Sequence, residues 1–519
     1  MISSESIPVK THQRLQHGAE LDPTRVPGSV QKRSTTLPLY VYGGQVLLGW
    51  IAMLSAEFVG HEAWWTLVPF CMAGLAPIAL LVHRTWRAAP ASVLQEIGVF
   101  AAISTGVYFM FGPLIHPFGP VDASEYSRSW YPISAGDAVR LTGMNFVGFG
   151  LAGLVYELTR FCFVERFAER VSRSWSQVSP TVVFLMFAVV GATAKYALVL
   201  PFDLALTLNA PSGIIRQLDN LIVIAIMVGW ANRKSGPLWI GLAAIVLLLL
   251  EVATGLLQFN KNASLLALMA AGLGDYLATR RLRNLIVAGL TASALYGVIA
   301  PIVTFGRAEL AARRGGEPSP AGLLERRDIV LRFYQGGESA TSDDPIPSGW
   351  WVRLCYLSPQ QAAIDMYDCG LGGDDFARLP WIVMPRFLYP EKPEMTISGV
   401  DFNEKVAGIR TTSTGTGVFI DGYYNLGWLG FLFTSISFGM ALRVYANIAK
   451  PVLKNRAFIM FPLVFKAIHV ALRVDGWWLA DVAGTLVFVL AALTLMGMSS
   501  RWRILVAPAG SPHRAGARG

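Results

Sequence analysis

Charge is scarce in this chain. Only 15% of its 519 residues are Asp, Glu, Lys or Arg, against 53% that are hydrophobic, too few to cover the surface of a water-soluble domain of this length. The shortage excludes an ordinary globular fold and leaves lipid as the solvent for most of the chain. Cysteine is also sparse: four residues make neither a disulfide framework nor a metal site. On one continuous helix Cys355 and Cys369 stand about 21 Å apart, beyond disulfide reach unless the chain bends between them. The N-terminal segment lacks the compact apolar core and small-residue cleavage site of a secretory signal. Residues 1–38, polar and interrupted by Pro8, Pro23 and Pro27, read as a disordered cytoplasmic tail. No internal repeat is visible.

What the chain does contain is a succession of long apolar runs. A bilayer core about 30 Å thick needs roughly 20 apolar residues per helix, and the runs predict an all-α integral membrane protein with about twelve transmembrane helices. Nine fall within residues 39–303, at 39–60, 64–83, 93–112, 138–157, 181–200, 214–231, 237–258, 263–278 and 285–303. Three more fall within 418–498, at 424–446, 457–474 and 477–498, followed by a basic cytoplasmic tail, 499–519.

The net charge of +9 follows the bias of membrane chains toward Lys and Arg on the cytoplasmic side, so it does not call for nucleic acid. With both termini cytoplasmic, every second connection should be basic. Arg84 and Arg87 follow the second span, Arg160, Arg166, Arg170 and Arg173 the fourth, and Arg233 and Lys234 the sixth. Arg280, Arg281 and Arg283 follow the eighth span, and Lys450, Lys454 and Arg456 the tenth. The short loops on the other side carry few cations, notably Arg128 and Lys261.

One connection breaks this economy. Residues 304–417, about 114 in number, form a long external loop between spans nine and ten, and loops of this length are usually functional. Arg307 to Gln335 has helix-like apolar spacing, and Trp350 to Asp368 reads as an amphipathic helix lying at the interface. Residues 336–349 and 395–417 are rich in Gly, Ser, Thr and Asp and read as mobile loop.

Charges inside the spans pair, face a cavity or sit near an end; they are Glu57, Glu96, Lys195, Asp219, Glu251, Asp275, Lys466 and Asp481. Lys466, His469 and Arg473 follow spacings of three and four and share one helix face near Asp475, as a substrate-supporting set or a network with Asp481. The external side gathers Arg216, Lys261, Arg353, Arg386, Lys392 and Arg410, where cations are normally sparse. Converging at the membrane surface, they would seat an anionic head group such as a lipid pyrophosphate, because Arg forks match phosphate oxygens and Lys supplies a point charge. Trp350, Trp351, Tyr356, Trp381, Phe387 and Tyr389 serve either to stack on sugars or to anchor the loop at the interface.

Three segments carry a resemblance. Met384-Pro385-Arg386-Phe387-Leu388-Tyr389-Pro390-Glu391-Lys392-Pro393 resembles the Pro-Arg-x-Leu-x-Pro-x-Lys-Pro signature of bacterial oligosaccharide repeat unit polymerases, the O-antigen and exopolysaccharide polymerase group. Phe259-Asn260-Lys261-Asn262-Ala263-Ser264 is similar to the family stretch in which a Lys or Arg opens a helix. Ser413-Thr414-Gly415, followed by Asp421-Gly422-Tyr423-Tyr424-Asn425-Leu426-Gly427-Trp428-Leu429-Gly430, resembles its Ser/Thr turn followed by acid, Tyr, Asn and Gly. The family usually has Glu where this chain has Asp421.

The resemblance implies a GT-C-like membrane glycosyltransferase of the bacterial inner membrane that works without cofactor or metal. It would join polyprenyl-pyrophosphate-linked oligosaccharides at the outer face, with membrane lipid, a flippase and a chain-length regulator as partners and no nucleic acid. Asp421 or Asp401 would deprotonate the acceptor hydroxyl, and Arg216, Lys261, Arg353, Arg386, Lys392 and Arg410 would hold pyrophosphate. An O-antigen ligase shares the helix count and long loop. A secondary transporter usually has its longest connection near the middle of the chain. A sulfhydryl peptidase needs an external Cys beside a His, and no His lies in the segment of Cys355.

Overall fold

In hydrocarbon every backbone N–H and C=O must be paired within its own segment or with a closed set of strands. The computed structural model describes residues 36–88, 96–129, 131–159, 161–207, 211–313, 321–335, 349–382, 398–408 and 413–478, with isolated positions at 384, 389 and 391 and between 480 and 494. Among the described residues the elements are helices, with no strand. Nine of those helices are long and apolar enough to cross a membrane: Leu37–Phe58, Trp64–Arg87, Ile97–Phe118, Ala135–Leu158, Pro180–Asp203, Gly213–Asn232, Leu238–Leu257, Arg283–Leu310 and Val418–Asn455. Helices Lys261–Thr279 and Phe461–Leu472 form over two further expected spans. Most of the last one, 477–498, lies outside the described residues, as do 1–35 and the basic tail.

The long connection is more ordered than its composition suggests. The helix Leu282–Arg313 runs ten residues beyond the end expected at 303. Its polar extension is supported by Glu309, which accepts from Arg313 four residues on at 3.1 Å and from Arg332 at 3.0 Å. Arg332 lies on Leu323–Tyr334, so the pair also docks that helix. The amphipathic helix expected over 350–368 is two pieces, Gly349–Val352 and Leu357–Asp368. The second packs into the protein. Leu357, Ala362, Ala363 and Ile364 are buried, and its polar residues bond inward: Gln360 Oε1 accepts from Asn145 at 3.0 Å and Gln361 Oε1 from Arg140 at 3.0 Å. Ser398–Ala407 is likewise a helix where mobile loop was expected, with Phe402 and Asn403 buried. Residues 336–348 and 409–412 lie outside the described set.

Close backbone approach holds the bundle together. Helix Thr36–Ser55 crosses Ala135–Leu158 at Gly49 and Gly143, where a Cβ on either would stand 2.5 or 2.6 Å from the other's carbonyl oxygen. Small residues at such crossings give dispersion and backbone contact where lipid offers no hydrophobic drive.

The segment Val418–Asn455 is not one straight helix. Leu426 and Gly427 leave helical geometry, with φ of −143° and +59°, and the second value is one that glycine adopts without strain. The break folds the chain back, so that a Cβ on Gly422 would meet the Gly430 carbonyl oxygen and the Thr434 hydroxyl, each at 2.3 Å. The glycines of the Asp-Gly-Tyr-Tyr-Asn-Leu-Gly-Trp-Leu-Gly run thus have a geometric reason: they permit a broken helix whose two arms touch. Gly422→Ala should lower the thermal unfolding midpoint by the equivalent of about 1–3 kcal/mol of overpacking. Gly289→Ala, with nothing within 4 Å of the new Cβ, should leave it unchanged or raise it.

Candidate functional site

Lys261 opens the helix Lys261–Thr279 after a tight turn in which the Asn260 N–H donates to the Gly255 carbonyl at 2.8 Å. Phe259 in that turn has φ +51°, an uncommon conformation for a bulky residue. Arg307 holds it there, its Nε donating to the Phe259 carbonyl at 2.9 Å. The Lys261 ammonium donates to the Tyr296 hydroxyl at 3.1 Å and lies 4.8 Å from that ring's centroid. Arg353, exposed after the short helix Gly349–Val352, acts electrostatically on both Lys261 and Arg307. The three cations thus lie within electrostatic range of one another, and among the described residues no carboxylate pairs with any of them. Such a group suits an anion.

A chain of tyrosines leads from Tyr296 to an acidic group. Tyr296 lies within electrostatic range of Tyr108, whose ring meets that of Tyr356 edge-on at 5.5 Å. The Tyr356 hydroxyl donates to Asp475 Oδ2 at 2.9 Å. Asp475 sits in the turn after Phe461–Leu472, pinned where the Val418 N–H donates to the Val474 carbonyl at 2.9 Å. Burial raises its carboxyl pKa above the usual range, opposed by the Arg473 guanidinium and the Tyr356 hydrogen bond. Arg473 is also held by Asp481 at 3.0 Å, and Lys466 and His469 stand within electrostatic reach of Arg473.

The remaining expected residues divide. Arg216 pairs with Asp203 at 3.4 Å, which compensates its charge, and Asp203 also accepts from Gln258, the neighbour of Phe259 in sequence, at 2.9 Å. Arg386, Lys392 and Arg410 lie outside the described residues. Asp401 forms a partly exposed pair with Arg378 at 3.5 Å, and Arg378 also holds Asp374 at 2.8 Å.

Asp421, expected as a general base, has a structural setting of its own. It is buried; Oδ1 accepts from Asn425 at 2.9 Å and Oδ2 from the Trp478 backbone N–H at 2.8 Å. It fastens the broken helix to the chain entering the last span, and both its oxygens are engaged. Cys355 is a correction. The fold brings His116 to it from another segment, with Nε2 3.6 Å from Sγ. Burial pushes the thiol up to about 11, so it stays protonated near neutrality and is a weak nucleophile.

Arg307, Asp475, Tyr108 and Tyr296 are the participants that sequence reasoning missed as site residues. Arg307 carried a signal, because the apolar spacing of the ninth span continues through it. Asp475 stood beside the Lys466, His469 and Arg473 face. The two tyrosines carried none: Tyr108 reaches its place from a π-helical turn, Val107–Phe111, which has no sequence signature. Among the described residues no three His, Cys, Asp or Glu side chains gather in a way that could hold a metal ion.

Asp421→Asn should cost about 1–3 kcal/mol of stability, because an amide cannot accept from both the Asn425 amide and the Trp478 N–H. Asp475→Asn, which keeps an acceptor for Tyr356, should unfold at the wild-type temperature; melting of the two purified variants in detergent checks this. Comparison of the chain with protein-family models, curated proteins and solved structures finds no match.

Proposed function

We propose that this chain is a membrane-embedded glycosyltransferase that polymerises oligosaccharide repeat units carried on polyprenyl pyrophosphate at the outer face of the bacterial inner membrane. The observation that carries the reading is the convergence of Lys261, Arg307 and Arg353 without a carboxylate among the described residues. In the proposed reaction the acceptor hydroxyl oxygen forms a bond to the anomeric carbon of the donor sugar while the bond from that carbon to the pyrophosphate oxygen breaks. The three cations stabilise the charge that grows on the leaving pyrophosphate, a role strongest where donors are pre-set and water is sparse. Arg386, Lys392 and Arg410 belong to the same seat in this reading, on the strength of the Pro-Arg to Lys-Pro resemblance.

Asp475 takes the acceptor proton. It replaces Asp421 and Asp401 in that role, because one is fully engaged in packing and the other is tied to Arg378. Arg473 sets how easily Asp475 ionises. Beside Arg353, the rings of Phe111, Trp351 and Trp350 lie nearly parallel, with centroid spacings of 5.3 and 5.7 Å and angles of 11° and 17°. A flat apolar platform beside an anion seat suits a sugar ring next to its pyrophosphate.

Purified protein given lipid-linked repeat units should produce a ladder of polymer lengths. Lys261→Ala, Arg307→Ala and Arg353→Ala should each slow it by about a hundredfold, the order seen when one charge-stabilising donor is removed. Ladders at the wild-type rate from all three would contradict the reading, and transfer of a single unit to a different lipid would identify a ligase.

The pH dependence has a definite sign. A base must be deprotonated to act, and burial favours the protonated Asp475, so activity should fall with acid through an apparent pKa above the ordinary carboxylate value of about 3.9. Arg473→Gln removes the charge that favours ionisation and should move that limb to higher pH. An unmoved limb would remove Asp475 from the role.

A further inference from the structure

The end of the bundle opposite Lys261 carries a feature that glycosyl transfer does not use. Helix Ala135–Leu158 finishes at one end of the bundle, and because Pro180–Asp203, Gly213–Asn232 and Leu238–Leu257 then cross it in turn, Lys261 lies at the other. The chain does not turn straight into the next span, Pro180–Asp203. It first forms a separate helix, Cys162–Trp175, whose sequence Cys-Phe-Val-Glu-Arg-Phe-Ala-Glu-Arg-Val-Ser-Arg-Ser-Trp alternates apolar and basic residues.

Three faces follow from a turn of about 100° per residue. Ala168 and Ser172 are buried against the far end of Val418–Asn455: Asn455 Nδ2 donates to the Ser172 hydroxyl at 2.7 Å, and Asn447 Nδ2 to the Phe161 carbonyl at 3.3 Å. These bonds fix the helix as part of the fold. Next round the helix come Phe163 and Phe167, 80% and 58% exposed and stacked on each other at 6.3 Å. Beyond them Arg166, Arg170 and Arg173 are exposed. Arg173 pairs with Glu169 at 2.6 Å, while Arg166 and Arg170 have no carboxylate partner among the described residues.

Exposed Phe side chains flanked by arginines, on a helix anchored between two spans, match a helix in the plane of a membrane surface. The rings enter the acyl boundary and the guanidinium groups reach head-group phosphates. Charge decides which lipid. Segments 162–175 and 450–456 hold Arg166, Arg170, Arg173, Lys450, Lys454 and Arg456 against Glu165 and Glu169, six cations to two carboxylates. Lys450, Lys454 and Arg456 are exposed beside the anchoring Asn447 and Asn455.

We infer that Cys162–Trp175 is an interfacial binding site for anionic phospholipid, at the end of the bundle opposite the cation group around Lys261. It rests on the membrane-spanning fold and is independent of the proposed chemistry.

The test uses the full chain in bilayers of equal parts phosphatidylcholine and phosphatidylglycerol, released into mild detergent, with retained lipids counted by native mass spectrometry. Wild type should retain phosphatidylglycerol in preference to phosphatidylcholine. Each basic residue at an anionic surface contributes a factor of roughly five, so R166Q/R170Q/R173Q should lose the preference by an order of magnitude or more. The charge-preserving R166K/R170K/R173K should keep it and serves as the control for folding. F163S/F167S should retain fewer lipids of both kinds. An unchanged preference in the glutamine variant, or no preference in wild type, overturns the inference.

Discussion

Lys261, Arg307 and Arg353 repel one another, and the surrounding architecture can be understood as the means of holding them together. Like charges within electrostatic range raise one another's free energy, most where water is excluded. The fold offsets this with neutral partners. Arg307 is tied to the Phe259 carbonyl and Lys261 to the hydroxyl and ring face of Tyr296. An anion entering such a group is stabilised by all three cations at once, and none has to leave a carboxylate first.

The helical frame positions this group from distant parts of the chain. Lys261 comes from a turn between two spans, Arg307 from a span that continues beyond its apolar stretch, and Arg353 from the long connection. The acid proposed to act with them comes from later still. Asp475 is set by a turn braced against the start of the broken helix, and Asp421 anchors that helix to Trp478. Asp421 thus shapes the site through the Trp478 N–H and the Asn425 amide while its own oxygens are occupied. The tyrosines Tyr296, Tyr108 and Tyr356 join the two halves, giving hydroxyl groups at depths where a charge would be costly.

The membrane fold was legible because apolar length is a one-dimensional signal, and the helices fall where the long runs fall. Where span ends were missed, a charged residue had found a partner. Glu309 and Arg313 lengthened the ninth span as an ion pair, which hydropathy counts only as two polar residues. The amphipathic pattern over 350–368 reads as an interfacial helix, with Gln360, Gln361 and Ser358 among its polar residues. They are instead bonded to Asn145, Arg140 and Tyr131 across more than two hundred residues of sequence. At the site, Lys261 and Arg353 were legible as cations out of place. The setting of Asp421 was not: a conspicuous acid in a Gly- and Tyr-rich run reads as chemistry, and its bond from the Trp478 N–H depends on tertiary position.

Lys261, Arg307 and Arg353 are proposed here as a seat for a lipid pyrophosphate. The most direct test of that seat is calorimetric binding of a short-chain prenyl pyrophosphate to the purified full chain, repeated at rising salt and with the Lys261→Ala, Arg307→Ala and Arg353→Ala triple variant. Binding to wild type that weakens with salt, and its loss in a variant that still elutes as folded protein, is the expected result. Equal affinity in the two proteins would contradict the account.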